Sequence, residues 1–184
     1  MPLVNSRFHQ LAWEFLLTCL HVVIHGGRLE DDERRIIVAS PWITDLSNPN
    51  FRLRTPLLHG VETNSRKRLS NLGKVLSLLS KNGFEVIIVT SAPDSNRWKG
   101  NWNEVSIERD RRFQEKLRSD GIEVIHNENN HSKSISTPVG VLTGSANITD
   151  NGFFHNIEHM QVTDGTHTDF QQARDIIDQL SRNQ

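Results

Sequence analysis

A single cysteine, Cys19, is all the thiol the sequence carries. That excludes an intrachain disulfide framework and a cysteine-rich zinc site, and it fits a reducing compartment. Charge of one sign is lacking too: 21 Lys and Arg face 22 Asp and Glu, a formal net charge of −1. With no dominant basic field, any hold on nucleic acid has to come from a local patch. No apolar run is long enough to cross a bilayer. The most apolar stretch, Leu11 to Ile24, is interrupted by Glu14, Thr18 and His21, and it falls short of the roughly 20 residues a spanning helix needs. Arg7 is the one strongly basic residue before it, and no small-residue cleavage site follows cleanly. A secretory signal is therefore not expected, and a cytoplasmic protein without stable membrane association is. Repeats, low-complexity tracts and linkers are absent as well. What remains is 184 residues of 35% hydrophobic content, the size of one self-sufficient domain spanning residues 1–184.

Along that domain the hydrophobic period switches between helical and extended. Leu11, Phe15, Leu16, Leu20, Val23 and Ile24 follow helical spacing. The β-branched run that opens Arg35–Ile43 predicts a buried strand feeding a loop at Pro41. Residues 44–64 form a long irregular crossing with Asp45, Asn48, Pro49, Asn50, Pro56 and Gly60, and crossings of that length are often functional. Ser65 is placed to cap a helix running to Lys81, with Gly83 just past its end. Phe84–Thr90 predicts a second buried strand, and a polar loop, Ser91–Asn103, holds Trp98 and Trp102. A charged helix from Glu104 to Arg118 is expected to bury Val105, Phe113 and Leu117 and to end near Gly121. Ile122–His126 predicts a third strand. His131–Ser136 and Val139–Thr143 flank Pro138 as a hairpin or two short neighbours, and Asn156–Val162 reads as another strand. The last helix, Thr168 to Ser181, carries Phe170, Ala173, Ile176, Ile177 and Leu180 on one stripe. The whole predicts an α/β fold with a mixed sheet covered by helices on both faces.

Polar chemistry is concentrated between residues 131 and 159. Side chains two apart on a strand share a face. His131 and Lys133 are so spaced, as are Ser145 and Asn147, and Asn156 and Glu158. If these segments converge, the face holds an imidazole, an ammonium, a hydroxyl, carboxamides and a carboxylate. A cation with neutral donors suits a tetrahedral phosphate. The imidazole can attack phosphorus or move a proton near neutral pH. Taken singly, Lys133 is a solvated charge, and Ser145 and Asn147 are a turn to which Gly144 lends backbone freedom. Ser145 is not a serine-hydrolase nucleophile, because G-x-S-x-G would need glycine where Thr143 and Asn147 stand.

His131-Ser-Lys133, followed by Gly144-Ser145-Ala146-Asn147, resembles the H-x-K … G-S-x-N signature of the phospholipase D superfamily. Asn156-Ile-Glu158 is similar to its N-x-E element, and Ser40-Pro41-Trp42-Ile43 to the S-P-[YW]-[IL] segment of many members. Together these span most of the chain. One position departs: the superfamily places Asp five residues after Lys, and this chain has Pro138 there.

The resemblance implies a phospholipase D-like α/β/α sandwich and a phosphodiesterase that needs no metal or other cofactor. It also implies catalytic residues His131, Lys133, Ser145, Asn147 and Glu158, with Asn156 binding substrate. The superfamily's chemistry uses two histidines, one forming a phosphohistidine and the other serving the leaving oxygen and then water. One motif per chain therefore implies a homodimer that shares one site. Short single-motif bacterial members are commonly nucleases, some in DNA-modification or defence systems with protein partners, which favours DNA over phospholipid. Arg97, Trp98 and Lys99, with Trp102, interleave cations and aromatics and are expected to contact the strand. Arg52, Arg54 and Arg66 to Arg68 add local positive charge. Loss of the motif Asp leaves a binding subunit of reduced activity as the alternative, and phospholipid headgroups as another substrate. Among the 9 histidines, His155 and His159 have zinc-like spacing, but Asn156 stands where H-E-x-x-H needs Glu.

Overall fold

The structure, a computed structural model, describes residues 3–4, 8–24, 29, 34–46, 71–95, 103–156, 158–165 and 170–182. The expected cap at Ser65, the basic residues at 52, 54 and 66–68, and the segment Arg97–Trp102 lie outside them. In chain order the elements are β1 (Leu3–Val4), α1 (Phe8–Ile24), β2 (Arg35–Ala39), α2 (Leu72–Lys81), β3 (Glu85–Thr90), α3 (Glu104–Ser119) and β4 (Glu123–His126). There follow β5 (Ser134–Thr137), β6 (Gly140–Gly144), a π-helical turn (Asn151–His155), β7 (His159–Asp164) and α4 (Phe170–Arg182).

Among the described residues the strands form one seven-stranded sheet in the order β1-β7-β6-β5-β2-β3-β4. β2, β3 and β4 are parallel neighbours, while β5, β6, β7 and β1 join by antiparallel pairings. The parallel strands read as unbroken aliphatic runs because both of their faces are covered. Ile36, Val38, Val86 and Ile88 turn to one side, where α1, α2 and α3 supply Trp13, Leu16, Leu20, Leu76, Phe113 and Leu117. Ile37, Ala39, Ile87 and Val89 turn to the other, where α4 supplies Ile177, flanked by Phe170, Ala173 and Leu180. The mixed sheet with helices on both faces is as expected.

Two predicted core residues are not in the core. Val105 is 76% exposed; it lies on the first turn of α3, about 80° round the helix from Phe113. Ile176 is 56% exposed, because the buried stripe of α4 is narrower than its apolar composition. Helix ends follow the expected signals more closely. Gly83 and Gly121 terminate α2 and α3 with φ of +84° and +81°, a conformation that costs a glycine little. The N-terminus of α2 is capped from a distance: Asp45 accepts from the Gly73 N–H at 2.9 Å and from Asn71 Nδ2 at 2.9 Å. Burial nonetheless holds the Asp45 carboxyl above its ordinary range.

Strand direction positions the site. β5 and β7 run opposite to β2, β3, β4 and β6, so starts of the former and ends of the latter share one edge of the sheet. The three polar pairs flank strands at that edge: His131–Lys133 and Asn156–Glu158, expected at the starts of strands, lie just before them, and Ser145–Asn147 lies just past a strand end, as expected. His131 and Lys133 precede β5, Ser145 and Asn147 follow β6, and Asn156 and Glu158 precede β7. The strand expected from Asn156 starts instead at His159, because the π-helical turn, closed by Asn156 N–H to the Asn151 carbonyl at 2.8 Å, occupies the approach.

Candidate active site

Ladder register brings the pairs together. The Gly144 N–H donates to the Lys133 carbonyl at 3.1 Å, and the Ser145 N–H to the His159 carbonyl at 3.0 Å. Lys133, Gly144–Ser145 and Glu158–His159 thus lie side by side across three strand ends. The Ser145 hydroxyl donates a short hydrogen bond to Glu158 Oε2 and accepts from the His159 N–H at 3.1 Å. Asn156 Nδ2 donates to Glu158 Oε1 at 3.2 Å. Glu158 therefore ties two of the expected site residues together. Lys133 Nζ donates to the His131 carbonyl at 3.0 Å. His131 is exposed, and its ring forms no hydrogen bond with the described residues. His155 closes the π-helical turn while His159 opens β7, so the two share no helix face. Among the described residues, no group of three His, Cys, Asp or Glu is placed to hold a metal ion.

Two further segments brace this edge. The Ser40 hydroxyl, fully buried, donates to the Trp42 carbonyl at 2.6 Å and accepts from the Ile148 N–H at 3.1 Å. Ile43 and Ile148 form a parallel bridge, and the Thr44 N–H reaches the Ile148 carbonyl at 3.0 Å. Ser40–Thr44 is thereby stitched to the residues just after Asn147. Asn130, 2% exposed, donates from Nδ2 to the Val89 carbonyl at 3.0 Å and accepts from the Ser132 N–H at 2.9 Å. The chain between His131 and Lys133 is thus hung on the end of β3. Sequence reasoning missed Asn130; its place in a polar Asn-Glu-Asn-Asn turn gave no sign of burial.

Comparison with known proteins bears on the family and the fold. The family profile described as "Cardiolipin synthase, PLD-like domain" matches residues 55–181, well over half of the chain. The chain belongs to the phospholipase D-like family. Among solved structures, the phospholipase D family member Nuc from Salmonella typhimurium is similar with a TM-score of 0.52 at 19% identity, over 99% of this chain and 92% of its own. NucT from Helicobacter pylori gives 0.52 at 15%, over 99% and 94%. Polyphosphate kinase from Porphyromonas gingivalis gives 0.55 at 14%, over 97% of this chain and 26% of the kinase. At these identities the likeness is one of fold. No curated protein matches the sequence.

Where this phospholipase D-like chain departs from the family motif, the structure places the change away from the polar pairs. Pro138 and Val139 form the two-residue turn between β5 and β6, at the opposite end of the hairpin from Lys133, roughly 16 Å along the strand. Proline suits such a turn because its ring presets φ. Thr137 secures it, its buried hydroxyl donating to the Gly140 carbonyl at 2.9 Å and accepting from the Val139 N–H at 3.3 Å. Beneath it, burial pushes the Cys19 thiol up to about 11.

A cleft of about 360 Å³ opens beside Asn147 and Asn156. Its wall includes Trp42, Thr44 and Arg109, the last from α3. Sequence reasoning did not single out Thr44 or Arg109, since nothing in the spacing of α3 tells which of its arginines faces the sheet edge.

Proposed function

We propose that this chain is a metal-independent phosphodiesterase that cleaves DNA through a phosphohistidine, at a site completed by a second copy of itself. The observation that carries the reading is the exposed, unbonded His131 ring on a segment whose backbone carbonyl accepts from Lys133, at the edge where Ser145, Asn156 and Glu158 are linked. One imidazole attacks phosphorus, forming an N–P bond as the P–O bond to the leaving strand breaks. His131 of the partner subunit gives its proton to that oxygen, then takes one from water, whose oxygen displaces the first imidazole. Lys133 balances the charge on the phosphoryl oxygens, and Asn147 and Ser145 supply directional hydrogen bonds in the transition state. Glu158, already holding Ser145, steadies an imidazolium across the twofold axis. Pro138 leaves this centre in place, because its turn lies at the other end of the hairpin.

The test is cleavage of a labelled oligodeoxynucleotide in EDTA, alongside the native mass in solution. Cleavage by a dimer, lost in His131→Ala, is the expected result. A strictly monomeric active enzyme, activity that survives His131→Ala, or turnover of phospholipid vesicles with none of DNA would overturn the reading.

A further inference from the structure

The cleft beside Asn147 has a composition that points to its occupant. Its volume of about 360 Å³ is within the range of small-ligand sites. A lipid acyl chain needs apolar walls, yet Thr44, Arg109, Asn147, Asp150 and Asn156 are polar or charged, and Trp42 supplies an aromatic surface. Three separate segments contribute: the exit of β2, helix α3 and the loops around the motif asparagines.

Two of these side chains carry polar groups that the fold does not use. Thr44 is 6% exposed, and its hydroxyl has no hydrogen-bond partner. The Asn147 carboxamide oxygen is likewise buried without a partner. Unsatisfied buried oxygens lower stability, so native folds keep few of them without a use. Arg109 is more than half exposed, and its Nε meets the buried carboxylate of Asp110 at 3.3 Å. That contact fixes one edge of the guanidinium, and the terminal Nη pair forms no bond with the described residues. A planar cation held this way matches a phosphate.

We infer that this cleft is a nucleotide subsite next to the scissile phosphate. Trp42 takes the face of a base, the Thr44 hydroxyl and the Asn147 carboxamide oxygen take polar atoms of its edge, which leaves Asn147 Nδ2 for the scissile phosphoryl, and Arg109 pairs with the neighbouring phosphate of the strand. The inference rests on the phosphodiesterase reading above and adds to it the polymer contacts of one protomer.

Binding tests it apart from turnover. In the His131→Ala protein, anisotropy of a labelled oligodeoxynucleotide gives Kd across a salt series. Adding Arg109→Ala should weaken binding at least fivefold and flatten the slope of log Kd against log salt by roughly 0.7–0.9, the share of one phosphate contact. Arg109→Lys should restore the slope. Thr44→Val should weaken binding several-fold while the melting temperature holds or rises, since the hydroxyl it removes contributes nothing to the fold. Unchanged affinity and slope in both variants would overturn the subsite, even if the wild-type protein cleaves DNA. So would phosphatidylglycerol vesicles that bind tightly and show the same sensitivity to Thr44 and Arg109. If the variants behave as expected but no nucleic acid is cleaved, the catalytic reading falls and the subsite stands.

Discussion

Gly144→Ala should damage fold and site together. Gly144 does not have a positive φ, so its value lies in lacking a side chain and not in backbone freedom. A Cβ built there would meet the His159 carbonyl oxygen at 2.1 Å, the Met160 sulfur at 2.6 Å and the Met160 Cα at 3.0 Å. Ordinary contacts of this kind are about 3.3 Å or longer, so β6 and β7 must part by about 1 Å. Overpacking of that order costs about 1–3 kcal/mol. The same separation pulls apart the Ser145 N–H to His159 carbonyl bond and the His159 N–H to Ser145 hydroxyl bond, worth about 1 kcal/mol each. A loss of about 3–5 kcal/mol would lower the melting temperature of a domain this size by roughly 6–20 °C. Gly140→Ala is the internal control. Its new Cβ would meet the Phe15 ring and the Thr163 carbonyl at 3.0 Å, a milder contact at the far end of the hairpin. Thermal melts by circular dichroism and turnover of an oligonucleotide would be measured on both variants. A Gly144→Ala protein that melts within 1 °C of the parent, or melts lower yet keeps full turnover, refutes the reasoning.

Asn130→Ala removes both hydrogen bonds that hang the His131 segment on β3. It should cost about 2–3 kcal/mol in denaturant titration, chiefly because the Ser132 N–H loses its partner, with a larger loss in kcat than in KM. Equal stability and turnover would show that Asn130 positions nothing. The Asp120 carboxyl is held below its ordinary range by the Lys116 ammonium and the Ser77 hydroxyl. A carboxyl whose folded pKa is depressed stabilises fully above its unfolded value and loses that contribution as pH falls through the folded one. Asp120→Asn should therefore destabilise by at most about 1 kcal/mol at pH 7, given solvent screening. Melts taken from pH 7 down to pH 2 should show that difference closing below about pH 4, and a difference that widens on acidification would contradict the assignment.

The separation of the polar pairs was legible because they sit where strands begin and end, and strand ends are marked by residue type. His131, Lys133, Ser145, Asn147, Asn156 and Glu158 could all be named without coordinates, and the structure brings them to one edge. The points at which β5 and β7 begin were less legible. A period of two cannot distinguish a strand from the extended lead-in before it, and the π-helical turn at Asn151–His155 has no sequence signal of its own. Thr44, Arg109 and Asn130 stayed hidden for another reason. Each acquires its place through a tertiary partner: the Ile148 carbonyl, the sheet edge beside α3, or the Val89 carbonyl. Val105 and Ile176 show the converse, apolar residues that periodicity assigned to the interior and that the lateral extent of the sheet leaves outside.

The thiol under the β5–β6 turn has a practical consequence. Cys19, on the face of α1 turned to the hairpin, is wholly enclosed, protonated at neutral pH, and alone of its kind in the chain. An alkylating reagent can reach it only when the fold opens around it, so with fast reclosing the labelling rate reports the free energy of that opening. The polypeptide carries its own probe of how firmly its scaffold stays closed.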